Sequence, residues 1–451
     1  MVNEDSQSGN SDCSGSESGE KRNIVSNLRR ASDRRTVLKA TGLAGLTATA
    51  GCLGGGSGSS GPSGTFKIGV LAPEPEKNPI GASIANSAKL ARDELNENGG
   101  VLGNDVEVIV KDTKEKPGVG KDKYQDLTVG ENVDFTAGVF TSEVQLALMD
   151  SIAEQETVHM DTGAATPEAS TMVKDDYDKY KYFFRTGPVN SHFLGQNMVD
   201  FASQNFSEMG WDSVYVLVED YAWTKPVQEV VKNKLSDQGV DVKNVKRYAA
   251  STEDFSTIYD KIENSGADAA YVAMAHTGTP AILQWAKQQR PFEFGGIHVP
   301  MQLPSYYSAV KGACRYAVTQ NSATPTSEVT SKTVPYANAY KKNYEKFPVY
   351  TGYITYDAVH QYAQVAEDQD SRKADDIISG LEDSSFTGTA GTIRYYGKDE
   401  EYPHDVVYDK TGENGVQPLW LQWQEKSGSG SQVAIFPDDI ATGSYKTPPW
   451  I

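Results

Sequence analysis

The chain has 451 residues, and 61 acidic side chains against 42 basic ones give it a formal charge of −19. No basic stripe or patch stands out along it, which argues against a nucleic-acid partner. Three cysteines, Cys13, Cys52 and Cys314, and six scattered histidines leave little material for a disulfide framework or a Cys/His metal site. An acid excess of this kind suits a secreted protein living in high salt.

The first 64 residues read as a leader and a tether. Residues 1–31 are polar and poor in apolar side chains, the composition of a disordered segment. Arg34-Arg35 precede a soft run of Ala, Gly, Thr and Leu from Ala40 to Gly51. That run is too short to cross a bilayer core, which takes about 20 apolar residues, and it has the layout of a cleaved export signal. Arg34-Arg35-Thr36-Val37-Leu38-Lys39 resembles the twin-arginine motif that exports folded proteins. Thr49-Ala50-Gly51-Cys52 resembles a lipobox, which implies lipidation of Cys52 and membrane attachment through it. Residues 52–64, rich in Gly and Ser, are then a flexible spacer.

Beyond the spacer about 390 residues remain, more than one core usually holds, so two lobes are expected. Phe66–Pro73 predicts a buried strand. A helix is expected over Ala82–Asn98, its apolar stripe of Ile84, Ala88, Ala91 and Leu95 closed by Gly99-Gly100. Val106–Asp112 is the next strand, followed by a polar helix between Lys121 and Asn132. Phe135–Phe140 is a third strand, with a helix over Val144–Gln155, and a fourth strand is expected in Glu156–Thr162. After Phe183–Asn190 the rhythm restarts. Ser213–Asp220 and Asp268–Ala275 read as strands, each followed by a helix, and a further helix ends at Gly266. "PLWLQWQ" and "QVAIFP" read as late strands joined by a Gly/Ser loop over Ser427–Ser431. Strands alternating with helices predict an α/β fold of two Rossmann-like lobes with parallel sheets flanked by helices.

Ligands of such sheets sit beyond the strands' carboxyl ends, beside helix N-termini. Thr141-Ser142-Glu143 and Gly163-Ala164-Ala165-Thr166 are the two loops of the first half that fit, and simple helix capping is the plainer use of their hydroxyls. His276 stands at the carboxyl end of the strand Asp268–Ala275, where an ordinary surface histidine is the plainer reading. No phosphate loop, zinc-protease motif or nucleophile elbow occurs, so neither an enzyme nor a cofactor or metal is expected. The pairs Asp175-Asp176 and Asp375-Asp376 lie in charged, solvated runs. Asn205-Phe206-Ser207 is a glycosylation sequon.

"FKIGVLAP…GASIANSAKLARDELNENGGVLGNDVEVIVKDTKEKP" resembles the opening of the branched-chain amino-acid type of substrate-binding protein, with Asn96, Gly99, Gly100, Val101, Leu102, Gly103 and Asp112 in the family's places. The likeness continues through "AGVFTSEVQLALMDSIAEQ", "GAATPE", "FFRTGPV", "VYVLVEDYAW" and "FTGTAGTIRYY". It implies the type I periplasmic binding protein fold, with lobe one at 65–187 and 320–388 and lobe two at 188–319 and 389–451. It also implies a three-strand hinge near Thr186–Val189, Thr319–Thr324 and Thr387–Ile393. It further implies a monomer outside the cytoplasm that hands a small ligand, an amino acid or a relative of one, to ABC permease and ATPase subunits, the alternative being a sensory ligand-binding receptor of the same fold. On this likeness the loops 141–143 and 163–166 hold the ligand's carboxylate and ammonium, Tyr221 or Trp223, after the strand Ser213–Asp220, closes over it, and His276 or Thr277, after Asp268–Ala275, makes a second contact. The family's usual acid on lobe two is replaced by Met301-Gln302, so Glu143 or Asp161 takes over the ammonium, or the ligand is an amide, urea or aromatic carboxylate.

Overall fold

The computed structural model describes residues 64–451. Arg34, Arg35 and Cys52 lie outside the described residues. From the first strand the chain runs β1 (Phe66–Ala72), α1 (Pro79–Glu97), β2 (Val106–Asp112), α2 (Pro117–Gln125), β3 (Phe135–Gly138) and α3 (Ser142–Gln155). It continues through β4 (His159–Asp161), α4 (Glu168–Asp175), α5 (Tyr177–Tyr180) and β5 (Phe183–Arg185). These strands form one parallel sheet in the order β2-β1-β3-β4-β5.

A second series follows: α6 (Ser191–Met209), β6 (Ser213–Glu219), α7 (Thr224–Lys234), β7 (Asp241–Tyr248), α8 (Ser256–Ser265) and β8 (Ala269–Met274). Then come α9 (Gly278–Gln288), β9 (Glu293–His298), α10 (Tyr306–Ala309) and β10 (Val318–Asn321). The chain then lays α11 (Thr333–Tyr344), α12 (Tyr350–Gln369) and α13 (Ala374–Asp383) beside the first sheet, forms the small hairpin β11 (Phe386–Thr387) and β12 (Thr392–Ile393), and ends with β13 (Leu419–Lys426) and β14 (Ser429–Phe436). The second sheet is ordered β14-β13-β10-β9-β8-β6-β7, parallel except for β13 and β14. The fold is thus α/β with two parallel-rich sheets.

Local chemistry sets the elements. The β6 and β8 runs are buried along their whole length, as strands covered on both faces must be. Asn78 caps α1 by accepting the Ile80 N–H at 2.9 Å, with Pro79 at the first helical position. Asn190 does the same for α6, accepting from His192 and Phe193, and Gly210 ends that helix at φ 74°. Asn205 of the sequon lies inside α6, and its amide donates to the Phe201 carbonyl at 3.0 Å. In the first core, Phe135 stacks on Tyr362 of α12 at 3.8 Å.

Three connections run between the two sheets. The first is Thr186–Asn190 and the second leaves β10 after Asn321. The third runs from Arg394 to Pro418, tied back by backbone bridges between Arg185 and Asp405 and between Tyr395 and Val406. The Thr387–Ile393 stretch forms the β11–β12 hairpin instead. The loop expected over Ser427–Ser431 shrinks to two residues, because Lys426 still pairs with Ser429. Ser427 and Gly428 both have positive φ, 53° and 80°, the backbone of a two-residue hairpin turn that matches strand twist.

Candidate functional site

A cleft opens between the carboxyl ends of the two sheets, with about 590 Å³ of atom-free space including its mouth. Its first wall is built where β3 ends. Val139 turns the chain at φ 70°, an unusual conformation for a β-branched residue, and its N–H donates to the Leu71 carbonyl at 2.7 Å. That turn delivers Phe140, Thr141, Ser142 and Glu143 to the cleft. Thr141 is the residue before α3, yet its side chain caps nothing, and its Oγ1 is buried without a hydrogen-bond partner. The Ser142 and Glu143 N–H groups, in the first turn of a 14-residue helix, have no intrahelical acceptors. Together they make a site for a carboxylate.

The neighbouring loop is locked to this one. The Thr166 N–H donates to Ser142 Oγ at 3.2 Å, and the Gly163 carbonyl accepts from the Tyr350 hydroxyl at 3.2 Å. A side chain at 163 would place Cβ 2.5 Å from the Val139 carbonyl oxygen, so only glycine allows the two loops this approach. Gly163 and Ala165 line the cleft. Ala164 and Thr166 do not. Their carbonyls instead accept from the guanidinium of Arg185, and Thr166 Oγ1 accepts the Glu168 N–H at 3.3 Å, which is the plain capping use.

Arg185 also bonds Asp161 and Asp405, each at 2.7 Å, with all three side chains fully buried. Asp161 accepts the Gly163 and Ala164 N–H groups on its other oxygen. Asp161 therefore braces the loop from behind and is withdrawn as a partner for a ligand ammonium. Glu143 keeps its place on the cleft.

The second wall comes from loops after β6, β8 and β9 and from β10. Tyr221 and Trp223 line it, as does His276. The Tyr221 ring stacks on His276 at 4.4 Å. Beneath them the buried Glu219 carboxylate accepts the N–H groups of Ala275, His276 and Thr277, which fixes the loop that carries His276. Thr277 itself is turned away, its hydroxyl 2.8 Å from that of Tyr248. The His276 side chain is 34% exposed and lies 3.6 Å from Glu115 on the first wall. Its hydrogen bond with Glu115 raises its pKa above the usual imidazole value, against burial. A second contact crosses the cleft, from the Ala222 N–H to Glu143 Oε1 at 3.1 Å.

Gln302 lines the cleft, whereas Met301 is buried elsewhere, its carbonyl accepting from Trp423 and Gln432. Leu194, Ile297 and Val299 complete an apolar wall, with Gln320 and Ser322 beside them. Among the residues lining the cleft there is no Lys or Arg, and Glu143 is the one carboxylate.

A profile of the periplasmic binding protein family matches residues 65–408. The chain belongs to that family. Among relatives of this periplasmic binding protein, the Leu/Ile/Val-binding protein homolog 3 of Brucella melitensis is 22% identical over 212 residues, covering 46% of this chain and 54% of the relative. The chain spans about half the length of the first curated relatives it matches. Among solved structures it is similar to the branched-chain amino acid transporter substrate-binding protein LivJ of Streptococcus pneumoniae in complex with isoleucine. There the TM-score is 0.67 at 17% identity, covering 82% of this chain and 100% of that one. It is also similar to a solute-binding protein of R. palustris in complex with 4-hydroxybenzoate, with TM-score 0.67, 18% identity and coverage of 82% and 96%. Family and fold are those of solute-binding proteins.

Sequence reasoning missed several wall residues of this binding protein. Leu194, Ile297 and Val299 carry no signal beyond apolarity. Gln320 sits in a strand that reads only as core, and Tyr350 at the start of α12 is far from either expected loop. The rule that placed the other contacts, position at a strand's carboxyl end, does point to Gln320, the third of the four residues of β10.

Proposed function

We propose that this chain is an extracytoplasmic solute-binding lipoprotein that captures a small amino acid and presents it to an ABC importer. One observation carries the ligand class: the unbonded, buried Thr141 hydroxyl stands with two free helix N–H groups at the wall of a small apolar cleft. A carboxylate satisfies all three. With no Lys or Arg on the cleft and Glu143 present, a net anion such as benzoate meets a like charge, while a zwitterion brings an ammonium for Glu143. The relatives' names, Leu/Ile/Val-binding protein, agree with this class. The proposed route is twin-arginine export through Arg34 and Arg35, with a lipid anchor at Cys52 and a monomeric domain in two lobes that close about the connections between the sheets.

Calorimetry of residues 64–451 against the L-amino acids, urea and benzoate tests the ligand class. Small-angle scattering and Trp223 fluorescence report closure. Micromolar or tighter binding of an amino acid with compaction is expected. Benzoate binding in preference to every amino acid would overturn the reading.

A further inference from the structure

We propose that the amino acid bound here has a side chain ending in a primary carboxamide, and that Gln302 and Gln320 select it. The inference rests on the proposed amino-acid site and adds the identity of the ligand's far end. Gln302 Nε2 donates to the Gln320 backbone carbonyl at 2.9 Å. A carbonyl only accepts, so this bond settles which end of the Gln302 amide is the NH₂. The other end, Oε1, is buried and has no donor. Gln320 is 3% exposed, and its side-chain amide makes no hydrogen bond through either atom among the described residues, with Nε2 wholly enclosed.

Both amides stand on the second wall, across the cleft from the start of α3, and both line the same space. The second wall carries no carboxylate, Lys or Arg on the cleft, and His276 is its one titratable group besides Tyr221. A charged ligand end would therefore be desolvated there without a counter-ion. A leucine or isoleucine end would leave the Gln302 oxygen and the Gln320 amide buried and unpaired. A carboxamide offers an N–H to Gln302 Oε1, and with its second N–H and its oxygen it meets Gln320 in either orientation of that amide. Sites built to hydrogen-bond a substrate group reject analogues that lack it far more strongly than apolar pockets reject a missing methylene.

The test is calorimetry with L-glutamine, L-asparagine and L-leucine on the wild-type protein, Gln302→Met and Gln320→Met. Gln320→Met removes a side chain with no bonds of its own, so it remains informative should Gln302→Met fold poorly. One of the two amide amino acids is expected to bind on the order of 100-fold more tightly than leucine. Each folded variant should cut that preference at least roughly tenfold. Leucine binding as well as both amides, or a preference unchanged in the variants, overturns this inference and leaves the amino-acid site standing. If none of the three binds while another amino acid does, this inference is overturned and the amino-acid site stands; if no amino acid binds, both fail.

Discussion

Thr141→Val separates binding from folding, because the hydroxyl it removes has no hydrogen-bond partner among the described residues. Thr141 Oγ1 is buried and unpartnered, and Val keeps the shape of Thr. A hydrogen bond to a charged group contributes about 1.5–3 kcal/mol. Loss of the hydroxyl should therefore weaken the tightest-binding amino acid by roughly ten- to a hundredfold. Stability should hold or rise, since a buried hydroxyl without a partner has lost its hydration for no return. An increase of about 1 kcal/mol would move Tm by roughly 2 °C in a chain of this size. Thr166→Val is the control. Its hydroxyl accepts the Glu168 N–H and lies off the cleft, so it should lose about 1 kcal/mol of stability and bind as before. Calorimetric titration and thermal melts without ligand read both quantities. A Thr141→Val protein that loses stability while its affinity stays within twofold would refute the carboxylate site.

Arg185→Met should cost about 3–5 kcal/mol in urea melts, because it strands two buried carboxylates; adding Asp161→Asn and Asp405→Asn to it should recover most of that loss, and no recovery would place the loss in the Ala164 and Thr166 carbonyl bonds or in packing rather than in the stranded carboxylates. Burial holds His159 down at about 3, so below the free imidazole value the unfolded chain takes up a proton the native chain refuses. Stability from that group is lost as pH falls from about 6.5, at about 1.4 kcal/mol per unit. The gap between wild type and His159→Gln should shrink at that rate between pH 6.5 and 4. Asp357 has the opposite sign: burial pushes it from 3.8 up to about 7, so its contribution is full in acid below 3.8 and is lost as pH rises from there to 7, and Asp357→Asn should flatten that limb. Cys52→Ser should release the exported protein from membranes, and Lys at both Arg34 and Arg35 should block export. A mature N-terminus well upstream of Cys52 by mass spectrometry would refute the anchor.

Much of the fold was legible because parallel sheets buried on both faces write themselves as short apolar runs. Phe66–Ala72, Ser213–Glu219 and Ala269–Met274 appear where such runs predict them. The edge strand β7 escaped, since Asp241–Tyr248 exposes alternate residues and reads as a polar loop. The site divided along the same line. Loops that follow a strand and open a helix could be found, and Thr141, Ser142, Glu143, Gly163, Ala165, Tyr221, Trp223 and His276 meet at one cleft. Ala164 and Thr166 sit in the same loop but face Arg185, and no pattern in four small residues tells which carbonyl turns inward. Asp161 looked available as an acid because its partner Arg185 is 24 residues away in sequence, and Asp405, which shares that guanidinium, is 244 away. Only the third connection between the sheets brings Asp405 beside it.

Among the described residues two side-chain contacts join the walls across the cleft, Ala222 N–H to Glu143 and His276 to Glu115, besides the backbone bond from the Ser191 N–H of α6 to the Ala165 carbonyl. The second is a solvent-reached pair at 3.6 Å, and such pairs contribute about 0–1 kcal/mol. The first is one charge-assisted hydrogen bond on a half-exposed loop, whose opening gives both groups back to water. Neither is strong enough to commit the walls to each other. A ligand can only bias closure by the difference in its affinity for the two states, and that difference must come from groups on both walls at once. The first wall offers the Thr141 hydroxyl and the start of α3; the second offers Gln302 and Gln320. A ligand that satisfies one wall alone binds without closing. On the proposed site, closure therefore depends on a molecule with two polar ends.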